Sequence, residues 1–240
     1  MNCQVKPKEI IDHLVREVDQ LEFGPPVSYV YNPMAYARLL YELYTARYGR
    51  PPKEVVFVGM NPGPWGMAQT GIPFGEIRAV KEWLGIEGPV GQPPKIHPKR
   101  PVNGFACKRS EVSGKRLWGW VQKRFKSPGR FFSRFFVANY CPLLFIEESG
   151  RNLTPDRLGA HDKEALFAVC DRALRRTVEH LRPTLVVGVG RFSAGRCQQA
   201  LHGMKVQVGG ITHPSPANPK ANRGWERIVE SELKVLGLRI

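Results

Sequence analysis

Carboxylates are scarce in this sequence: 21 Asp and Glu stand against 36 Lys and Arg, a formal net charge of +15 over 240 residues. Such an imbalance attracts polyanions and speeds their capture, so a nucleic-acid partner is the first expectation. Cysteine is sparse and unpatterned. Cys3, Cys107, Cys141, Cys170 and Cys197 form an odd, scattered set with no C-x-x-C pair, which disfavours a disulfide framework and a zinc or iron–sulfur site. A reducing intracellular compartment is expected, the cytoplasm or nucleoid of a bacterial cell or the nucleus of a eukaryotic one. No stretch is long and apolar enough to cross a bilayer, so no membrane partner is expected. Nor do the first residues supply a signal-peptide core, because Lys6, Lys8, Glu9, Asp12, Arg16, Glu17 and Asp19 interrupt them. There is no internal repeat and no low-complexity linker. What remains is ordinary for a folded chain: 42% hydrophobic and 24% charged residues, with a length that suits one α/β domain.

Ile10, Ile11, Leu14, Val15, Val18 and Leu21 recur at helical spacing and predict an N-terminal amphipathic helix. A second helix is expected from Ala35 to Arg47, ending near Gly49 ahead of Pro51 and Pro52. The short apolar run Val55–Gly59 then reads as a strand buried on both faces, the habit of parallel sheets. Phe135–Tyr140, Leu185–Val189 and Val206–Ile211 repeat that habit. Helices are expected over Asp162–Leu181, with Asp162 as N-cap, over Ser193–Leu201, and from Trp225 to Leu236. Strands alternating with helices predict a parallel sheet covered on both faces.

The segment from Pro93 to Arg134 stands apart. It is dense in Lys and Arg, among them Lys115, Arg116, Lys123 and Arg124, and Glu111 is its one carboxylate. Phe105, Trp118, Trp120, Phe125, Phe131 and Phe132 are interleaved with the charges. Cations hold phosphates and aromatic faces stack on unpaired bases, so the mixture suits single-stranded or distorted nucleic acid. The alternative is that most of these rings belong to the core.

Ligands of parallel α/β sheets bind beyond the carboxyl ends of the strands. The first run leads into Gly59-Met60-Asn61-Pro62-Gly63-Pro64-Trp65-Gly66-Met67-Ala68-Gln69-Thr70-Gly71-Ile72-Pro73-Phe74-Gly75, a loop lacking both the Gly-Lys-Ser/Thr ending of a P-loop and the G-x-G-x-x-G fingerprint. The second ends at Asn139-Tyr140-Cys141-Pro142-Leu143, whose amide can donate and accept together and so read a base edge. The fourth ends in His213-Pro214-Ser215-Pro216-Ala217-Asn218-Pro219, a histidine stiffened by prolines. In this order and at these strand ends, the three motifs resemble those of the single-strand-selective monofunctional uracil-DNA glycosylases within the uracil-DNA glycosylase superfamily.

That resemblance implies a three-layer α/β/α fold around a central four-stranded parallel sheet, and an enzyme that flips uracil out of DNA and hydrolyses its N-glycosidic bond. It implies no cofactor and no metal, and a monomer acting on single- and double-stranded DNA. Carried onto these positions, Asn61 positions the water and His213 hydrogen-bonds the departing base at O2. Asn139 reads the O4 and N3–H edge, Phe74 stacks on the ring, and Gly63 and Met67 form the wall facing C5. A glycine at that wall leaves room for a C5 substituent, so 5-hydroxymethyluracil is an expected substrate and xanthine a further one. The loop from Pro214 to Arg223 resembles the family's DNA wedge, placing Ser215, Pro216, Ala217, Asn218, Lys220 and Arg223 against DNA. Ala217 departs from the basic residue expected there. The competing readings are a thymine or mismatch glycosylase, which generally lacks the histidine, and a non-enzymatic single-stranded nucleic-acid binder.

Overall fold

The computed structural model describes residues 7–240, so Cys3 and Lys6 lie outside the described residues. In chain order the elements are α1 (Pro7–Val18), β1 (Tyr29–Tyr31), α2 (Pro33–Tyr36), α3 (Arg38–Tyr48), β2 (Val55–Gly59), α4 (Met67–Thr70), α5 (Val112–Phe125) and α6 (Pro128–Phe132). There follow β3 (Phe135–Asn139), β4 (Leu144–Ile146), β5 (Asn152–Leu153), α7 (Ala160–Leu181), β6 (Leu185–Val189), α8 (Arg191–Ala200), β7 (Gln207–Ile211) and α9 (Trp225–Val235). The four expected strands form one parallel sheet in the order β3-β2-β6-β7. Every residue of β2 and β6 is buried, which is why both read as unbroken apolar runs.

Helices cover both faces. On one, Phe57 of β2 stacks near Phe131 of α6, Trp118 of α5 meets Phe131, and Trp120 of α5 meets Trp225 of α9. On the other, Phe167 of α7 and Phe192 of α8 close around Tyr140 at the tip of β3. Trp118, Trp120, Phe131 and Phe132 are buried, so most of the rings of the basic segment are core and not stacking platforms. Because β2 connects to β3 on one side while β6 connects to β7 on the other, the strand order reverses between β2 and β6. The loops leaving the carboxyl ends there diverge and open a crevice.

Three expectations need correction. The helix expected over Ala35–Arg47 breaks at Ala37, because the carbonyl of Tyr36 accepts from Gly91 N–H at 2.9 Å rather than continuing the helical ladder. Asp162 is not the cap of α7; Gly159 is, and Asp162 in the first turn accepts from Gly24 N–H at 3.0 Å, with its charge favourably placed at the helix N-terminus. A second, antiparallel sheet, in the order β1-β4-β5, was not expected. Its strands of two or three residues are too short for any period to register. Among the described residues, no helix is long and apolar enough to cross a membrane, and all the cysteines are free and buried.

Candidate active site

The three motifs converge at the carboxyl ends of β2, β3 and β7. Backbone bonds zip the first two together: Tyr140 N–H donates to Gly59 C=O and Cys141 N–H to Met60 C=O, both at 2.9 Å. Tyr140 is anchored from below, since its hydroxyl donates to Asp171 Oδ1 at 2.6 Å and accepts from Arg196 Nε at 3.0 Å. A side chain on Gly59 would overlap both the Asn139 amide and the Phe74 ring. Glycine at the tip of β2 therefore lets these two groups close over the strand end.

Between the loops lies a cavity of about 310 Å³ lined by Asn61, Gly63, Met67, Phe74, Glu111, Ser113, Asn139, Asn152, Thr154, His213 and Ser215, together with Met60 and Pro62. The catalytic and substrate-binding residues expected from the sequence all border it. Asn61 Nδ2 donates to Leu143 C=O at 3.1 Å. That bond commits the amide nitrogen to the second motif and leaves Oδ1 as an acceptor. Asn139 Nδ2 donates to Met67 Sδ at 3.2 Å, which ties that amide to the opposite wall.

Phe74 is held with φ at +53°, a conformation that costs a non-glycine residue about 1–3 kcal/mol and persists only where its surroundings over-determine it. Helix α5 does so: Trp118 Nε1–H donates to Phe74 C=O at 3.1 Å, and at Gly114 a side chain would overlap that carbonyl. The ring centre stands 6.1 Å from that of His213.

The proton state of His213 follows from its contacts. Ser215 N–H donates to Nδ1 at 3.0 Å, so Nδ1 carries a lone pair and the neutral ring bears its proton on Nε2. Burial pulls the imidazole pKa down to about 4, because a charge there would lose its hydration. His213 is thus a neutral donor.

The wedge segment is built around the same residue. Asn218 Nδ2 donates to His213 C=O at 3.2 Å and Ala217 N–H to Ser215 Oγ at 3.2 Å, which leaves Pro216 and Ala217 exposed at the tip. Arg116 donates to Pro214 C=O at 3.0 Å and to Asn222 Oδ1 at 2.9 Å, bracing both ends of the loop from α5. Lys220 pairs with Glu232 at 2.8 Å, Lys123 with Glu226 at 2.6 Å and Arg124 with Glu230 at 3.0 Å. Lys115 and Arg223 are exposed. Of the cations singled out from the sequence, four therefore already hold partners within the chain.

Sequence reasoning missed Glu111, Ser113, Asn152 and Thr154. Asn152 arrives on β5 of the small antiparallel sheet and Thr154 just after it, a stretch that had no signal. Glu111 did carry one, as the only carboxylate from Pro93 to Arg134. It accepts from Trp65 N–H at 3.3 Å and occupies the side of Gly63 where a side chain would lie. Burial raises its carboxyl pKa, opposed by the Trp65 hydrogen bond.

The fold and this strand-end pocket place the chain in the uracil DNA glycosylase superfamily, whose sequence model matches residues 46–232. Within it the chain belongs to the single-strand-selective monofunctional uracil-DNA glycosylases. It is 52% identical over 224 residues to the mouse protein of that name, covering 92% of this chain and 80% of the mouse protein. The bovine counterpart is 51% identical, covering 99% of this chain and 91% of the relative. The crystal structure of SMUG2 from Pedobacter heparinus superposes with a TM-score of 0.67, covering 95% of this chain and 97% of that one. At 16% identity it speaks to the fold alone.

Proposed function

We propose that the protein is an intracellular, monomeric DNA glycosylase of base excision repair that hydrolyses the bond between a flipped uracil and its deoxyribose, leaving an abasic site. The observation that carries this reading is the convergence of Asn61, Phe74, Asn139 and His213 on one cavity at the carboxyl ends of the sheet. The rest of the chain serves that pocket as one domain. Phe74 stacks on the ring and Asn139 pairs with the O4 and N3–H edge. Met67 closes the C5 side together with Gly63.

As the glycosidic bond breaks, charge grows on the base and a cation develops on the sugar. His213 donates from Nε2 to O2 and stabilises the departing anion while remaining neutral, so no proton transfer is needed to create the donor. Asn61 is too weak a base to deprotonate water. Its Oδ1, with Nδ2 held by Leu143, orients the water toward the anomeric carbon, and DNA phosphates stabilise the sugar cation. Ser215, Pro216, Ala217 and Asn218 enter the gap left in the duplex, while Lys115, Arg223 and the exchangeable pairs of Lys123, Arg124 and Lys220 meet phosphates. Arg116 acts by holding the wedge in place.

Incubation with labelled single- and double-stranded oligonucleotides carrying one uracil, followed by alkali, tests the reading. Strand scission at the uracil position is expected with both substrates, more slowly in the duplex. Tight binding without scission would leave a single-stranded nucleic-acid binder.

A further inference from the structure

The mechanism leaves one ring beside the pocket unused. Trp118, Trp120 and Trp225 are buried and Trp83 packs against the core, whereas Trp65 joins neither hydrophobic cluster and stays partly exposed. It stands in sequence between Gly63 and Met67, both of which line the cavity. The loop that carries it is fixed on two sides. Trp65 N–H donates to Glu111 Oε2 at 3.3 Å, and Gln69 Nε2 donates to Pro64 C=O at 2.8 Å and to Pro101 C=O at 3.0 Å. An indole that the core does not use is thus kept at the rim of the base pocket.

Two cations flank it. The guanidinium of Arg109 stands 4.3 Å from the ring centre and that of Arg100 5.4 Å. Arg109 is exposed. Arg100 Nε is buried with no hydrogen-bond partner, while Nη1 donates to Lys99 C=O at 2.9 Å. Among the described residues neither guanidinium pairs with a carboxylate, in contrast to Lys123, Arg124 and Lys220. Lys99 and Lys108, their neighbours in sequence, add exposed positive charge.

We propose that Trp65, Arg100 and Arg109 form a second nucleotide subsite, outside the base pocket, for an unpaired base next to the flipped one on the same strand. This inference rests on the proposed function. The base takes the place of Arg109 on the indole, and Arg109 swings with Arg100 onto the adjoining phosphates. An exposed cation–π contact is weaker than a base stacked on an aromatic ring, and the displaced guanidinium gains a charged acceptor, so the exchange is favourable. A paired neighbour stays in the duplex stack with its faces covered. Only single-stranded or frayed DNA therefore fills the subsite, and because every base has a π-face it adds affinity without reading sequence.

Single-turnover uracil release followed over a range of enzyme concentrations separates the half-saturating concentration from the limiting rate. Three substrates carry one uracil each: a single strand, the same strand with base-free spacers on both sides of the uracil, and the ordinary strand in a duplex. On the ordinary single strand, Trp65→Ala should raise the half-saturating concentration by about 10-fold and leave the limiting rate within about 3-fold of wild type. On the strand with base-free neighbours, wild type should show that same weakening and Trp65→Ala should add less than about 2-fold. In the duplex the two proteins should agree within about 3-fold. Trp65→Phe keeps a stacking face and should recover most of the loss. Arg109→Ala should flatten the salt dependence on the single strand by about 0.7 in log–log slope, and an unchanged slope would overturn the exchange. Equal weakening of Trp65→Ala on both single strands would show a merely structural role and overturn the proposal. An unchanged half-saturating concentration, or a loss confined to the limiting rate, would overturn it too. Any of these results with wild-type uracil release intact would leave the proposed function standing, whereas no release by wild type from any substrate would defeat both.

Discussion

His213 is locked as a neutral donor by one backbone bond, from Ser215 N–H to Nδ1, and by its burial. The pH dependence follows with a definite sign. With a folded pKa near 4 against 6.5 for the free side chain, the unfolded chain binds more protons at this residue between those values, so its contribution to stability is lost as pH falls through that window. Thermal unfolding of wild type should therefore lose more Tm between about pH 7 and about pH 4.5 than that of His213→Gln. Single-turnover uracil release should show no inflection near 6.5 attributable to His213. An inflection there that disappears in the variant would mean that the working form is the imidazolium. Gly63 yields a second prediction. Because Glu111 fills its open side, Gly63→Tyr must push that carboxyl aside and place a ring against C5, so 5-hydroxymethyluracil release should fall by about 10-fold more than uracil release. Equal losses measured on the two bases would remove Gly63 from the selectivity account.

At the scale of elements, the strand tips were legible in the sequence because burial on both faces leaves an apolar run ending where the chemistry starts. Val55–Gly59 and Leu185–Val189 appear in the structure with the bounds read from the sequence. The kink at Ala37 was not legible, since it depends on a hydrogen bond to Gly91 far along the chain. Neither were Asn152 and Thr154, which reach the pocket from a strand too short to show a pattern and from the turn that follows it. Glu111 was visible as an isolated carboxylate, but only the fold brings it over Gly63. The wedge loop joins the two kinds of information. Its motif was readable, whereas the bracing by Arg116 across 98 residues of sequence was not. Its exposed tip, Pro216 and Ala217, carries no basic side chain. Ala217→Arg should speed uracil release from duplex DNA by about 5-fold, the equivalent of about 1 kcal/mol, and leave the single-stranded rate unchanged. A parallel gain on both substrates would point to general electrostatic attraction instead of gap filling.

Under the proposed function, the excess of positive charge acts at a distance over the whole molecule, while a few exposed residues make the contacts. DNA affinity should fall with salt at a log–log slope of roughly −0.7 to −0.9 per phosphate neutralised. Lys115→Glu with Arg223→Glu should flatten that slope more than Lys123→Glu with Arg124→Glu, because the latter two already pair with Glu226 and Glu230. Titrations at several salt concentrations would show it, and equal slopes would place the DNA elsewhere. The central claim is that strand-end residues perform the chemistry while the basic surface supplies affinity. The measurement that tests it most directly is single-turnover uracil release by Asn61→Ala and His213→Ala beside their binding to abasic DNA. The account predicts rates lower by about 10²–10³ with affinities within about 3-fold of wild type. Wild-type rates in both variants, or rates that fall only as far as binding does, would contradict it.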